Sequence, residues 1–148
     1  MDSLTLQELT ADESGESLDE LLARADSVIA GLQGEFAEGT QNRLDRLSAL
    51  LHGGWDSMSM RDGTVREMRR IAHDLKGEAG TFGFELITEI AELFGAYLRE
   101  TPLAGQRRAC VAGYIDVLTL VWDERIEGDW DVAGPILLDR MIRLTGTN

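Results

Sequence analysis

The sequence predicts an all-α protein, an up-down antiparallel four-helix bundle with additional N- and C-terminal helices. Apolar residues recur at helical spacing along most of the chain, and no stretch alternates with a period of two between turn signals. The segments between the periodic runs are short, which favours antiparallel neighbours. With 148 residues, 43% of them apolar, the chain can bury a core without disulfides, and it has only one cysteine.

Charge and hydropathy separate two regions and exclude several classes of partner. Residues 1–17 are polar and acidic and predict a flexible arm, whereas residues 18–148 predict one helical domain. The net charge of -13 argues against nucleic acid or an anionic membrane as the main partner. No apolar run approaches 18 residues and the N-terminus lacks a basic start, so we expect a cytoplasmic protein.

The first half of the predicted domain contains two periodic helical segments followed by a loop. The first segment has its apolar positions from Leu18 to Leu32, and the second from Phe36 to Leu51. Three glycines and a serine pair predict a loop over residues 52–63. Asp62 or Thr64 is then expected to cap the third helix.

The third helix has the most regular pattern in the chain. Its apolar positions are spaced 3, 4, 3, 4, 3, which predicts a bundle seam formed by Val65, Met68, Ala72, Leu75, Ala79 and Phe82. Gly83 is expected to end the helix.

Three further helices are predicted after Gly83. In the fourth, the expected inward residues are Leu86, Ile90, Leu93 and Tyr97, and the opposite stripe is Glu85, Glu89, Glu92, Ala96 and Arg99. Thr101-Pro102 is expected to end that helix. A fifth helix is predicted over about residues 106–122 and a last one over about 135–144.

His73 is the candidate functional residue of the third helix. Because Ala72 and Leu75 belong to the seam, His73 is expected to face solvent. On a helix its neighbours are the residues three, four and seven positions away, which are Arg66, Arg69, Arg70, Lys76, Gly77 and Gly80.

The two glycines beside His73 need a reason. Within a helix, each is less favourable than alanine by about 1 kcal/mol. Since Gly77 and Gly80 fall on the same face as His73, they are expected to leave the imidazole clear for the close approach of a second protein. The alternative explanation is close packing between helices.

A basic cluster surrounds His73 on an otherwise acidic chain. Five of the 14 basic residues lie within 16 positions, and they are Arg61, Arg66, Arg69, Arg70 and Lys76. Only Asp62, Glu67 and Asp74 oppose them. The cluster would attract a partner with an acidic site, and Lys76 would stabilise an anionic group on the imidazole. The alternative is a solvated helix face.

These residues match the signature of a known family. His73-Asp74-Leu75-Lys76-Gly77, with Gly83 ten residues after the histidine, resembles the His-x-x-Lys-Gly signature of histidine phosphotransfer (HPt) domains. Residues 79–84 are also similar to the phosphoacceptor domain of chemotaxis histidine kinases. The resemblance is strong over residues 65–98 and weaker over residues 18–128.

The resemblance implies a phosphoryl carrier without catalytic activity of its own. His73 would accept a phosphoryl group from the aspartate of a receiver domain, in a response regulator or a hybrid histidine kinase, and pass it to another receiver. Lys76 would stabilise the phosphoryl group, and Gly77 and Gly80 would admit the partner. Arg66, Arg69 and Arg70 would bind that partner. Mg²⁺ would belong to the receiver, so no cofactor is expected here, and a self-contained bundle predicts a monomer.

One position departs from the chemotaxis-type pattern. In those domains a glutamate 22 residues after the histidine hydrogen-bonds the imidazole, and that position is Gly95 here. Glu92, 19 residues after His73, would lie opposite it in an antiparallel hairpin. Glu92 is therefore a candidate to orient the ring, with an ordinary surface glutamate as the alternative.

Two other functions are compatible with this pattern. The chain could be a phosphoacceptor module that a chemotaxis-like kinase phosphorylates in trans, or a degenerate HPt-fold adaptor that only binds partners. The joint presence of His73, Lys76 and Gly77 speaks against the adaptor.

Overall fold

A computed structural model describes residues 17–145 and, within them, contains helices and no strand. The α-helices are α1 (Leu18–Gly54), α2 (Met58–Ala79), α3 (Glu85–Glu100), α4 (Arg108–Asp123) and α5 (Trp130–Thr145). Short 3-10 turns follow α2 and α3, at Gly80–Phe82 and Leu103–Gly105. The predicted all-α helical bundle is confirmed. None of the described helices combines the length and the apolar character needed to cross a membrane.

The described residues fall into two units, divided between Glu38 and Gly39, and α1 contributes residues to both. The two helical segments predicted before residue 52 are therefore one continuous helix. Ser17 caps its start, because its Oγ accepts a hydrogen bond from the Glu20 backbone N–H at 3.2 Å. Apart from Ser17, the predicted arm of residues 1–17 lies outside the described residues.

The core of the second unit is built mainly from α2, α3 and α4. Its most deeply buried large side chains include Leu47, Met68, Phe94, Leu118 and Trp122. The predicted seam of α2 is buried from Val65 to Ala79, and only its last member, Phe82, is half-buried. The regular 3-4 spacing thus placed the core face of α2 correctly.

The loop predicted over residues 52–63 is wrong. The connection between α1 and α2 contains only residues 55–57, and Ser57, rather than Asp62 or Thr64, is the N-cap position of α2. Thr64 is buried and its Oγ1 donates to the Gly54 carbonyl oxygen at 3.2 Å. A Cβ on Gly54 would lie 2.1 Å from that hydroxyl. The glycine at position 54 therefore permits a close crossing of two helices.

The inward face of α3 agrees with the prediction at Leu86 and Ile90, which are buried, and differs at its other two positions. Leu93 is 60% exposed and Tyr97 is half-buried, whereas Ile87, Ala91 and Phe94 are fully buried. The core face is rotated because α3 carries a second apolar row, and the larger Phe94 fills the core from that row. Phe94 stacks on Tyr114 of α4 with ring centroids 5.2 Å apart.

Polar side chains satisfy the end of α3 and the start of α5. Gln106 precedes α4, and its Nε2 donates to the carbonyl oxygens of Leu98 and Thr101 at 2.9 and 3.0 Å, where it satisfies the end of α3. Asp129 caps α5, since its Oδ1 accepts from the Val132 N–H at 3.2 Å. Helix α5 therefore starts at Trp130, five residues before the predicted Pro135.

The turn after α2 is fixed by two glycines with positive φ. Gly83 has a φ of 90° and ends the segment that begins with α2, as predicted. Gly128 has a φ of 101°, and its N–H donates to the Gly83 carbonyl at 2.8 Å. The Leu86 N–H donates to the Gly128 carbonyl at 2.9 Å. These bonds hold the start of α3 against the α4–α5 connection and so fix the α2–α3 hairpin that carries the candidate site.

Gly83→Ala is expected to lower the free energy of unfolding by about 1–2 kcal/mol, because an L side chain is strained at this backbone conformation. The added Cβ would also lie 3.3 Å from Glu127 Oε1. Urea denaturation followed by circular dichroism measures the change. Gly63→Ala is the control, since a Cβ added at Gly63 would meet no atom within 4 Å and should stabilise α2 instead. Equal stability of the two variants would contradict this account of Gly83.

Candidate functional site

His73 lies on the exposed face of α2. Its neighbours Ala72 and Leu75 are each 1% exposed and belong to the core. His73 directly follows Ala72 on the helix, is rotated off the core face and is solvent-exposed. The structure therefore agrees with the outward orientation of His73 that the seam predicted.

The two glycines beside His73 have different surroundings. Gly77 is exposed within α2, and a Cβ there would meet no atom within 4 Å. Close packing does not explain Gly77. Gly80 lies beyond the last residue of α2, in the 3-10 turn, and a Cβ there would lie 3.4 Å from Thr88 Oγ1. Gly80 was expected inside the helix, and the structure places it at the helix end.

A cleft of about 440 Å³ opens beside His73 between α2 and α3. It brings together the three arginines predicted from helical spacing, Lys76 and the candidate glutamate; its lining is Arg66, Arg69, Arg70, Ala72, His73, Lys76, Ala91, Glu92, Gly95 and Arg99. Arg99 of α3 was not among the predicted site residues. Its signal was present, because it shares a polar stripe with Glu92, two helical turns away.

The three acidic residues near the basic cluster are each paired with an arginine. Glu67 accepts hydrogen bonds from Arg46 of α1 at 2.5 and 2.9 Å, and that contact holds the pKa of the Glu67 carboxyl below its ordinary value. Asp74 lies 4.0 Å from Arg43 of α1.

Asp62 contacts Arg66 one turn along α2. Glu67 and Asp74 pair with arginines of α1. Neither forms an ion pair with the cleft-facing cations of α2, although Glu67 and Arg70 attract each other at longer range. The cleft is therefore positive on a strongly acidic chain.

Lys76 and Glu92 meet across the helix hairpin. Lys76 Nζ lies 3.5 Å from Glu92 Oε1, and both side chains are solvent-exposed. Thr88 supports the same region, since its Oγ1 donates to the Lys76 carbonyl oxygen at 3.1 Å. Among the described residues, none forms a hydrogen bond to the His73 ring. The Glu92 carboxylate is therefore directed to Lys76 in this structure.

The helical hairpin and the exposed histidine in a basic cleft are features of a phosphotransfer module. Comparison with known protein families finds a match to the Hpt domain over residues 6–128. The match covers most of the chain, and this protein belongs to the Hpt domain family. No curated protein and no solved structure is similar enough to the chain to count as a match. The chain is thus a histidine phosphotransfer module of a phosphorelay, and its partners are phosphorelay components that carry receiver or kinase domains.

Proposed function

We propose that this protein carries a phosphoryl group on His73, accepting it from the aspartyl phosphate of one receiver domain and passing it to the aspartate of another. The observation that carries the proposal is the position of His73, exposed at the rim of a basic cleft and one turn from the open Gly77. The protein needs no ATP-binding site for this exchange, so it acts as a carrier without catalytic activity of its own.

The chemistry is a reversible in-line phosphoryl transfer. The neutral imidazole attacks through Nε2, the P–N bond forms as the P–O bond to the aspartate breaks, and the aspartate leaves as a carboxylate. Lys76 provides positive charge beside the phosphoryl oxygens, where negative charge must be accommodated.

The surface around the histidine determines which partner can approach. Arg66, Arg69 and Arg70 form an exposed basic rim that complements the acidic aspartate-bearing site of a receiver. Gly77 leaves open space beside the ring, and Gly80, which also lacks a side chain, continues this accessible surface past the end of α2. A single copy of the bundle contains all these residues, so we propose that the protein acts as a monomer.

The direct test mixes the protein with receiver domains labelled as aspartyl phosphates. We expect label on this chain that is lost in acid and retained in alkali, as a phosphoramidate requires, and then its transfer to a second, unlabelled receiver. A parallel reaction contains a chemotaxis-type kinase ATP-binding domain and ATP in place of the labelled receiver. Label only in that reaction would favour phosphorylation in trans by a kinase, and binding without label in either would identify an adaptor.

Glu92 is proposed to act on this site through Lys76. By holding the lysine at 3.5 Å, Glu92 limits its rotamer freedom, and ordering a free lysine costs about 0.5–1.5 kcal/mol. Glu92→Gln is therefore expected to slow transfer from a phosphorylated receiver by about three- to fivefold. Lys76→Met is expected to slow it by about tenfold, about 1.4 kcal/mol of barrier.

The double variant Glu92→Gln/Lys76→Met distinguishes the two roles of Glu92. If Glu92 acts through Lys76, the double variant transfers at the rate of Lys76→Met alone. If the double variant instead slows transfer by the product of the two single-variant factors, Glu92 acts independently of Lys76, as an orienter of the His73 ring would. An unchanged rate in Glu92→Gln would remove it from the site. Rapid-quench measurement of the first-order transfer rate in all four proteins completes the cycle.

A further inference from the structure

The His73 ring has no hydrogen-bond partner within the part of the chain that the structure describes. A histidine that works through one ring nitrogen usually has its other nitrogen held by a carboxylate, a carbonyl or water, which fixes both the tautomer and the ring orientation. The carboxylate that lines the cleft, Glu92, is paired with Lys76. The holding group is thus missing from the described residues.

The cleft beside the ring has a floor of small residues, Ala72, Ala91 and Gly95. A Cβ on Gly95 would lie 3.8 Å from the Cβ of Ala72, which is an ordinary van der Waals contact. Close packing of α3 against α2 therefore does not require glycine at position 95. What glycine provides there is open volume next to His73, within a cleft of about 440 Å³.

Cations surround this volume. Arg69, Arg70 and Arg99 line it. Arg69 and Arg70 form no ion pair with another described residue, although Arg70 and Glu67 attract each other at longer range, and Arg99 lies 4.0 Å from Glu100. The guanidinium group presents a planar fork of N–H donors that matches a carboxylate in two parallel hydrogen bonds. A carboxylate bound in the cleft would accept hydrogen bonds from some of these donors beside the His73 ring, which lines the same cleft.

We infer that the cleft over Gly95 is a binding site for a carboxylate from outside this chain, which the arginines hold and which accepts a hydrogen bond from the His73 ring. The ligand class is a carboxylate, either a small free acid or an acidic side chain of the docked partner. Its effect on phosphoryl transfer rests on the proposed function, whereas its binding does not.

Acetate is the probe for the site itself. Sodium acetate is titrated into the ¹⁵N-labelled protein at constant ionic strength, set with sodium chloride, and the ring resonances of both histidines are followed by NMR. We expect a saturable shift of His73 and none of His52, which lies outside the cleft and whose Nδ1 is 2.7 Å from the Ser48 carbonyl oxygen. The shift should disappear in Arg69→Ala/Arg70→Ala. A linear response, equal shifts of both rings, or an undiminished shift in that variant would overturn the site.

Position 95 provides the matched variants. Gly95→Glu places a carboxylate of the chain over the same floor and should abolish the response to acetate. Gly95→Ala leaves most of the volume open and should retain that response. Equal acetate responses in these two variants would also overturn the inference.

Transfer rates identify the source of the carboxylate. With phosphoramidate as the donor, which loses ammonia as His73 is phosphorylated, acetate should raise the rate on the order of tenfold, the lower end of effects seen for groups that hold a working histidine. With a phosphorylated receiver as the donor, acetate should raise the rate only if the receiver brings no carboxylate of its own. If a receiver labels the protein but acetate causes no shift of His73, the carboxylate site is rejected and the carrier function stands. If acetate shifts His73 but no receiver labels the protein, the carrier function is rejected and the carboxylate site stands.

Discussion

His73→Gln is expected to remove all phosphoryl transfer to this protein while leaving its fold unchanged. The imidazole is the nucleophile of the proposed reaction, and the amide of glutamine cannot replace it. Because His73 is exposed and has no hydrogen-bond partner among the described residues, its substitution should change the free energy of unfolding by no more than about 0.5 kcal/mol. Incubation with a phosphorylated receiver, followed by phosphate-affinity electrophoresis, measures the transfer.

The chain provides a matched control for this experiment. It contains only one other histidine, His52, which is also exposed and lies near the C-terminal end of α1. His52→Gln is expected to accept the phosphoryl group at the wild-type rate. Label that persists in His73→Gln and is lost in His52→Gln would place the phosphorylated residue on α1 and reject the proposed site.

The spacing of apolar residues predicted the buried face of a helix correctly where the helix has only one apolar row. In α2 the residues between the seam positions are mainly charged, so only one rotation of the helix buries an apolar face, and His73 is exposed as a consequence. Helix α3 carries two adjacent apolar rows, and spacing alone does not rank them. The packing of Phe94 against Tyr114, which comes from another helix, determined that Leu93 is exposed.

Glycines were the main source of error in the predicted connections. Gly54 was predicted to lie in a loop, yet it is the last residue of α1, and glycine is needed there because the Thr64 side chain leaves no room for a Cβ. That requirement comes from a residue ten positions away and from the crossing of two helices. Gly83 was predicted correctly because its role is local, the termination of its own helical segment.

The candidate site could be predicted on α2 but only partly across the hairpin, where Glu92 was expected opposite His73 and lines the same cleft. Arg66, Arg69, Arg70 and Lys76 follow from the spacing around His73, and all four line the cleft. Arg99 and the Lys76–Glu92 contact depend on how α2 and α3 are aligned. That alignment is set by the turn after α2, including its bonds to Gly128, and spacing along one helix carries no information about it.

Gly77→Leu is expected to make the protein more stable and a poorer phosphoryl carrier. Leucine is more favourable than glycine within a helix by about 0.8–1 kcal/mol, and no atom lies within 4 Å of the position its Cβ would take, so α2 should accept it. The same side chain would fill the open space one turn from His73. Because phosphoryl transfer needs close, in-line approach of the partner's aspartate, displacement by about 1 Å would slow it on the order of a hundredfold.

Gly63→Leu separates the two effects, since Gly63 lies in the same helix, is also exposed, and has equal room for a Cβ. Both variants should gain stability in urea denaturation, but only Gly77→Leu should lose transfer from a phosphorylated receiver. Equal transfer rates would mean that the partner does not pass over position 77, and the open face beside His73 would then have no role in recognition. A loss of stability in Gly77→Leu alone would instead show that glycine is kept there for the fold.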